Sequence, residues 1–172
     1  MNDIISIRSE TEADRDAVKK VNDAAFANNA EAKLVDTLRT GGYIVSSLVA
    51  ETNGSVIGHI LFSRLTLKTS AEPISAVSLA PMAVLPEYQR QGIGSLLVKH
   101  GLNECRDAGH RIVVVLGHPE FYPRFGFSTQ LAEQLESPFG GGPAWMALEL
   151  TPEALAGVHG TVEYAPPFTS LE

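Results

Sequence analysis

The chain has 172 residues and is 44% hydrophobic and 19% charged, which is typical of a single globular domain, here expected to span residues 1–172. No apolar run reaches the roughly 20 residues that a membrane-spanning helix needs. The formal net charge of −7 opposes non-specific binding to nucleic acid; it is typical of a solubility-favouring surface and modestly favours the approach of a cationic substrate.

The first part of the chain predicts one strand and two helices. Residues Ile4–Ser9 alternate between apolar and polar side chains, as a strand does. Thr11 is a suitable helix N-cap, and apolar residues then recur at helical spacing as far as Phe26. The segment Ala30–Thr40 has the same spacing, and the glycine pair that begins at Gly41 ends it.

The middle of the chain predicts three strands. Ser47–Glu51 and Ser55–Leu67 are separated by an Asn-Gly pair at positions 53 and 54, which is a strong hairpin signal. Gly58, inside the longer strand, indicates a bulge or a close backbone approach. Ala76–Val84 is almost entirely apolar, as expected of a strand at the centre of a sheet.

A helix and a further buried strand follow. The pattern of Ser95–Ala108 is amphipathic. We expect its buried face to include Leu96, Leu97, Gly101, Leu102 and Cys105. Ile112–Gly117 is rich in β-branched residues and predicts a second central strand. Since a helix joins this strand to the previous one, the two should be parallel.

The last part of the chain is less regular. Glu120–Phe125 predicts a short turn or helix, Met146–Leu150 a strand, and Thr161–Tyr164 a weaker strand. Thr151, which a proline follows, predicts the start of a helix between those strands. The predicted order is β-α-α-β-β-β-α-β-α-β, an α/β fold with a mixed sheet and helices on its faces.

The segment Gln89–Ser95, with the sequence Gln-Arg-Gln-Gly-Ile-Gly-Ser, connects a buried strand to an amphipathic helix. The first N–H groups of a helix have no partner within the helix and lie at the positive end of its dipole, so they can bind phosphate. Gly92 and Gly94 allow positive φ and a close approach of the ligand. The segment therefore predicts a phosphate-bearing cofactor.

Two stretches together resemble the GNAT family of N-acetyltransferases. Leu79–Gly94 resembles the acetyl-CoA-binding signature of that family, including its Gln-x-x-Gly-x-Gly pattern. Phe121–Phe127 resembles the Tyr-x-x-x-Gly-Phe element that follows the fifth strand in the family. The resemblance covers roughly residues 45–127 and implies the GNAT acyl-CoA N-acyltransferase fold, a central mixed sheet with one splayed pair of strands and flanking helices.

The resemblance implies that acetyl-CoA is the co-substrate. Pro81 has no N–H group, which suggests a bulge or a splay between its strand and Ile112–Gly117; in the family, such a splay admits the pantetheine arm. Backbone N–H groups of the glycine-containing turn would hold the pyrophosphate, and one near the end of the strand could stabilise an oxyanion. The residues expected to bind the cofactor are Met82, Ala83, Val84, Gln89, Arg90, Gln91, Gly92, Ile93, Gly94 and Ser95.

Acetyl transfer to an amine requires a neutral amine, a polarised thioester and a proton for the leaving thiolate. The resemblance implies that Tyr122 is the general acid; packing beside neighbouring phenylalanines is the alternative role. His118, at the carboxyl end of its strand, and Glu120 are the candidate bases. The alternatives are an exposed His118 in a turn and a Glu120 that stabilises a helix N-terminus through the helix dipole. Some family members carry a carboxylate at the position that corresponds to Ser78, which cannot act as such a base.

The remaining reactive side chains predict structural roles. The single cysteine, Cys105, excludes an intramolecular disulfide and belongs to the buried helix face. We expect His59 to be satisfied structurally and His100 and His110 to face solvent, and the histidines lack metal-ligand spacing. Met1–Arg8 has no signal-peptide pattern, so we expect a cytosolic protein.

The resulting hypothesis is an enzyme that transfers the acetyl group of acetyl-CoA to a primary amine by direct attack. The expected acceptor is a small-molecule amine, with a protein N-terminus or lysine as the alternative. A GNAT-fold acyl-CoA-binding or sensor module with little activity is the second hypothesis, and another phosphate-ligand domain is the third.

We expect no nucleic-acid or membrane partner and, from the resemblance, a homodimer. We expect the acceptor half of the site to come from the Ala25–Thr40 helices, the hairpin strands and the C-terminal part of the chain. Leu131–Trp145 either borders the acceptor pocket or is a surface loop anchored by its tryptophan.

Overall fold

The computed structural model describes residues 4–171, with the side chains of residues 4–169. The strands are β1 (Ser6–Ser9), β2 (Ile44–Thr52), β3 (Ser55–Lys68), β4 (Ile74–Val84), β5 (Ile112–Leu116), β6 (Leu135–Glu136), β7 (Trp145–Glu149) and β8 (Gly160–Tyr164). The helices are α1 (Arg15–Phe26), α2 (Ala30–Thr40), α3 (Ile93–Asp107) and α4 (Thr129–Ala132). Within this part of the chain, no helix is both long and apolar enough to cross a membrane.

The strands form one mixed sheet. Its main order is β1-β2-β3-β4-β5-β7, and β8 pairs with both β3 and β6. Neighbours along the main order are antiparallel except β4 and β5, which are parallel and are connected through α3. The predicted mixed sheet, with its parallel central pair and crossover helix, is confirmed.

Helices cover both faces of the sheet. Leu61 and Phe62 are consecutive on β3, so their side chains point to opposite faces. Phe62 packs against α3, where a Cβ atom on Gly101 would lie 2.1 Å from the ring; glycine is therefore what permits this close approach. Leu61 packs with Val18 of α1 and Leu38 of α2 in the cluster on the other face.

The parallel pair separates soon after it begins. β4 and β5 are paired at only two positions, Val77 with Val113 and Ser78 with Val114. Beyond Ser78 the register between β3 and β4 also shifts, since β4 has one extra residue between Leu79 and Met82. A proline cannot donate to a neighbouring strand. The predicted splay between β4 and β5 is confirmed, and the irregular pairing lies on the β3 side of β4.

Several predicted details are wrong. α3 begins at Ile93, not at Ser95, and Leu96 is 37% exposed because it lies on the solvent face of that helix. The helix expected from Thr151 does not form: the segment consists of turns, and Glu153 has a left-handed φ of 60° that an α-helix cannot contain. The short elements α4 and β6 occupy a region for which no element was expected.

His59 is fully buried and makes two hydrogen bonds as a neutral ring. The Asn22 side-chain amide donates to its Nδ1 atom at 3.3 Å, and its Nε2–H group donates to the Ser47 hydroxyl at 2.9 Å. That hydroxyl donates in turn to Glu10 at 2.9 Å. Burial and, secondarily, the charge of Arg39 lower the pKa of His59 to about 3. The expected structural role of this histidine is confirmed.

Candidate active site

A large cleft opens where β4 and β5 separate, with a volume of about 1130 Å³. It extends from the amino end of α3, along the two separated strand edges, to the amino end of α2. Of the residues predicted for the site, those that line it are Met82, Ala83, Val84, Gln89, Arg90, Gly92, Ile93, Gly94, Ser95, His118 and Tyr122. Gln91 and Glu120 are exposed and lie outside its lining, so the fold brings together all but two of the predicted residues.

The amino end of α3 has the geometry of an anion site. Gly92 is its N-cap residue, with a left-handed φ of 84°, and no side chain caps the helix there. The first-turn N–H groups therefore remain available to a ligand. Arg90 also has positive φ, 64°, and the Gln89 side-chain amide donates to the carbonyl of Val84 at 2.9 Å. That bond ties the turn to the end of β4.

A second arginine lies at this end of the cleft, and the sequence analysis assigned it no role. The guanidinium of Arg124 lies 4.9 Å from the centre of the Phe121 ring. Phe121 in turn lies close to Gly94, since a Cβ atom there would be 3.6 Å from the ring. Arg124 and Arg90 both line the cleft, so two positive charges accompany the uncapped helix end. The only signal in the sequence was the position of Arg124 within the Tyr-x-x-x-Gly-Phe element.

The separated strands expose backbone groups to the cleft. Residues Met82–Val84 pair with β3 on one side, and their other edge has no strand partner among the described residues. The end of β5 pairs with β7 on its outer side, and Leu116, 42% exposed, lines the cleft from its inner side. An extended ligand with amide groups can therefore pair with this free edge as a further strand would.

Tyr122 projects into the cleft from the 3₁₀ turn Tyr122–Phe125. It is 6% exposed and packs edge-on against Phe121 and Phe127, with ring centres 5.0 and 5.6 Å away. Burial raises the pKa of its phenol to about 12, which keeps the proton on the oxygen at neutral pH. Tyr122 therefore packs beside neighbouring phenylalanines, as its alternative role predicts. It also lines the cleft, as a general acid would.

The predicted bases are placed differently from each other. His118 is exposed at the edge of the cleft, and its carbonyl accepts the N–H groups of Phe121 and Tyr122 at 3.1 and 3.3 Å. Glu120 is exposed and does not line the cleft. Ser78, at the position where a carboxylate was considered, is buried, lines the cleft and is the last residue of β4 that pairs with β5.

The far end of the cleft is formed by α1, α2 and the C-terminal part of the chain. Phe139 lies there, so part of Leu131–Trp145 does border the cleft. Trp145 itself is buried and donates from its indole nitrogen to the carbonyl of Leu135 at 2.9 Å, as an anchor would. The segments expected to form the acceptor half, Ala25–Thr40 and the C-terminal part of the chain, do line this end, but the sequence singled out none of the individual residues there: Phe26, Glu31, Leu34, Tyr164 and Phe168.

Comparisons with known proteins agree with this geometry. A family model described as an acetyltransferase (GNAT) domain matches residues 6–130. The uncharacterized N-acetyltransferase YhbS of Escherichia coli K12 is 37% identical over 160 residues, covering 92% of this chain and 95% of YhbS. The chain therefore belongs to the GNAT family of acetyltransferases, and the predicted family and fold are confirmed.

Two solved structures are also similar over nearly the whole chain. The crystal structure of YhbS from Escherichia coli in complex with CoA has a TM-score of 0.89 at 34% identity, covering 98% of this chain and 94% of that one. A GNAT acetyltransferase from Brucella melitensis in complex with acetyl-CoA has a TM-score of 0.80 at 34% identity, covering 96% and 98%. The likeness includes the C-terminal region, beyond the residues that the family model matches.

Proposed function

We propose that this protein transfers the acetyl group of acetyl-CoA to the primary amine of a small molecule by direct attack. The observation that carries the proposal is the splay of β4 and β5, which opens directly onto the uncapped amino end of α3. Both similar structures contain CoA or acetyl-CoA, which supports acetyl-CoA as the co-substrate here. The cytosolic location and the homodimer expected from the sequence stay predictions.

The donor is held at two places in this proposal. The pyrophosphate accepts hydrogen bonds from the first-turn N–H groups of α3, with Arg90 and Arg124 adding positive charge. The pantetheine arm pairs with the free edge of β4 along Met82–Val84. The thioester then lies in the gap between β4 and β5, where Tyr122 lines the cleft. We propose no role for Gln91 and Glu120, since neither lines the cleft.

The reaction follows from these positions. The neutral amine attacks the thioester carbonyl, and an N–H group at Met82–Val84 stabilises the oxyanion. As the carbon–sulfur bond breaks, the Tyr122 phenol gives its proton to the thiolate. The attacking nitrogen loses its proton to His118, the titratable side chain at the open edge of the cleft. The products are the N-acetylated amine and free CoA.

The test is amine-dependent release of the CoA thiol. Purified protein with acetyl-CoA should release thiol when a primary amine is added and not in its absence. An acyl-CoA-binding module, the second hypothesis, would bind acetyl-CoA without any amine-dependent release. The absence of a carboxylate at Ser78 favours that second hypothesis, and the buried, protonated phenol of Tyr122 favours the first.

A further inference from the structure

The far end of the cleft contains one carboxylate in apolar surroundings. Glu31, in the first turn of α2, lines the cleft beside Phe26 and Leu34. Its Oε2 atom is buried and accepts no hydrogen bond from any residue that the structure describes. A buried carboxylate oxygen without a donor is costly. The missing donor is therefore one that a ligand in the cleft could supply.

Three aromatic rings stand in a row on the same stretch of the cleft. The ring centres of Phe139 and Tyr164 are 4.9 Å apart, and those of Tyr164 and Phe168 are 5.1 Å apart. All three line the cleft. Burial raises the pKa of Tyr164 to about 12, so this ring is uncharged at neutral pH. Aromatic faces attract ammonium groups, particularly where water is excluded.

This aromatic wall lies beside the reacting end of the cleft. Ala80 of β4, Phe139 and Tyr164 all pack against the cluster that contains Phe168, and Met82 is two residues further along the same strand. Two residues of chain span at most about 7 Å. A ligand that fills both places needs a linear spacer of a few methylene groups between its two ends.

A group that Glu31 holds as an ammonium ion is not the nucleophile. A carboxylate beside an amine favours the protonated, charged form, and an ammonium group has no lone pair with which to attack. The acceptor must then carry a second cationic group besides the amine that reacts. The apolar surroundings suit the methylene chain between the two groups.

We propose that Glu31 and the wall formed by Phe139, Tyr164 and Phe168 bind a non-reacting ammonium group, so that the preferred acceptor is an aliphatic diamine. This inference rests on the proposed acetyl transfer and specifies its substrate class. Glu31 recognises the far end of the acceptor, and the near end reaches the thioester between β4 and β5.

Binding to the CoA-saturated protein tests the site without turnover. Calorimetric titration with 1,5-diaminopentane should give an affinity at least about tenfold higher than with 1,5-pentanediol, because only the diamine offers a charged donor to Glu31. Glu31→Gln should abolish that difference, and Glu31→Lys should shift the preference to 5-aminopentanoate. Asp36→Asn removes a negative charge from an exposed position of the same helix and should change nothing. Equal affinity of the wild-type protein for the diamine and the diol overturns the proposal.

Turnover separates this inference from the proposed function. With acetyl-CoA, Glu31→Gln should raise the KM for 1,5-diaminopentane about tenfold, leave its kcat nearly unchanged and alter neither constant for 5-amino-1-pentanol, whose only amine must lie at the thioester to react. An equal fall in kcat for both amines would make Glu31 a base and overturn the recognition role. If the diamine binds through Glu31 but no amine releases thiol, the proposed acetyl transfer is wrong and the proposed diamine site still stands. If thiol is released equally well from reactions with and without a second ammonium group on the acceptor, only the proposed diamine site is wrong.

Discussion

The ring of Tyr122 lies directly against Gly117: a Cβ atom on Gly117 would be 2.4 Å from its Cε2 atom. Gly117 follows the last residue of β5, and Tyr122 begins the 3₁₀ turn beyond it. The missing side chain of the glycine is what lets the chain turn back and place the phenol in the cleft. The position of the proposed acid is therefore set by a glycine outside its own turn.

Gly117→Ala should displace the Tyr122 ring and lower kcat for thiol release by about 100-fold, because small displacements of a reacting group have effects of that size. Affinity for acetyl-CoA should change little, since the amino end of α3 is untouched. Gly141→Ala is the matched control, because a Cβ atom there meets nothing within 4 Å. Wild-type turnover in Gly117→Ala would mean that the position of the phenol is unimportant.

Tyr122→Phe keeps the ring and removes only the proton donor. We expect kcat to fall by about 100-fold, at the lower end of the range for general acid catalysis, with unchanged affinity for acetyl-CoA by calorimetry. A variant that turns over as fast as wild type would remove Tyr122 from the mechanism and leave it as a packing residue against Phe121 and Phe127.

Gly92→Val should weaken acetyl-CoA binding by about tenfold. The φ of 84° at Gly92 is unfavourable for a β-branched residue, so the turn should change shape and misdirect the first N–H groups of α3. Gly109→Val is the control, since Gly109 has a similar φ of 92° just beyond the other end of that helix. Both variants should lose stability, and only Gly92→Val should lose affinity. Equal affinity in the two would contradict the anion site.

His59 should make the protein less stable at mildly acidic pH. Its pKa is about 3 in the folded protein, because of burial, and 6.5 is its ordinary value. Between these values the unfolded chain binds a proton that the folded protein does not, so stability is complete above pH 6.5 and falls as the pH decreases, by about 1.4 kcal/mol per unit. Urea unfolding at pH 7.5, 6 and 5 measures this slope. His59→Gln should flatten it and the exposed His100→Gln should not; an unchanged slope in His59→Gln would refute the assignment.

The sequence predicts the donor half of the cleft well because its signals are local. The strand, turn and helix around Gln89–Ser95 are contiguous, and Pro81 interrupts a strand that is otherwise apolar. Leu96 shows where local reasoning fails: which side of a helix meets the sheet depends on packing, and Gly101, not Leu96, is on the face that contacts Phe62.

The acceptor half could not be predicted in the same way. Glu31 is on α2, whereas Phe139, Tyr164 and Phe168 come from the C-terminal part of the chain, and no spacing links them. They meet only because β8 pairs with β3 and the following segment packs beside α2. Charge patterning also gave no hint, since a lone glutamate at a helix start is usual and is favoured by the helix dipole.

The most direct test of the central claim is a calorimetric titration of the purified protein with acetyl-CoA, with ATP and NAD as controls. The splayed strands and the amino end of α3 predict saturable binding of one acetyl-CoA per chain, with both nucleotides binding at least about tenfold more weakly because neither has a pantetheine arm to pair with β4. Absent binding of acetyl-CoA, or equal affinity for the three ligands, would contradict the assignment of this cleft as an acetyl-CoA site.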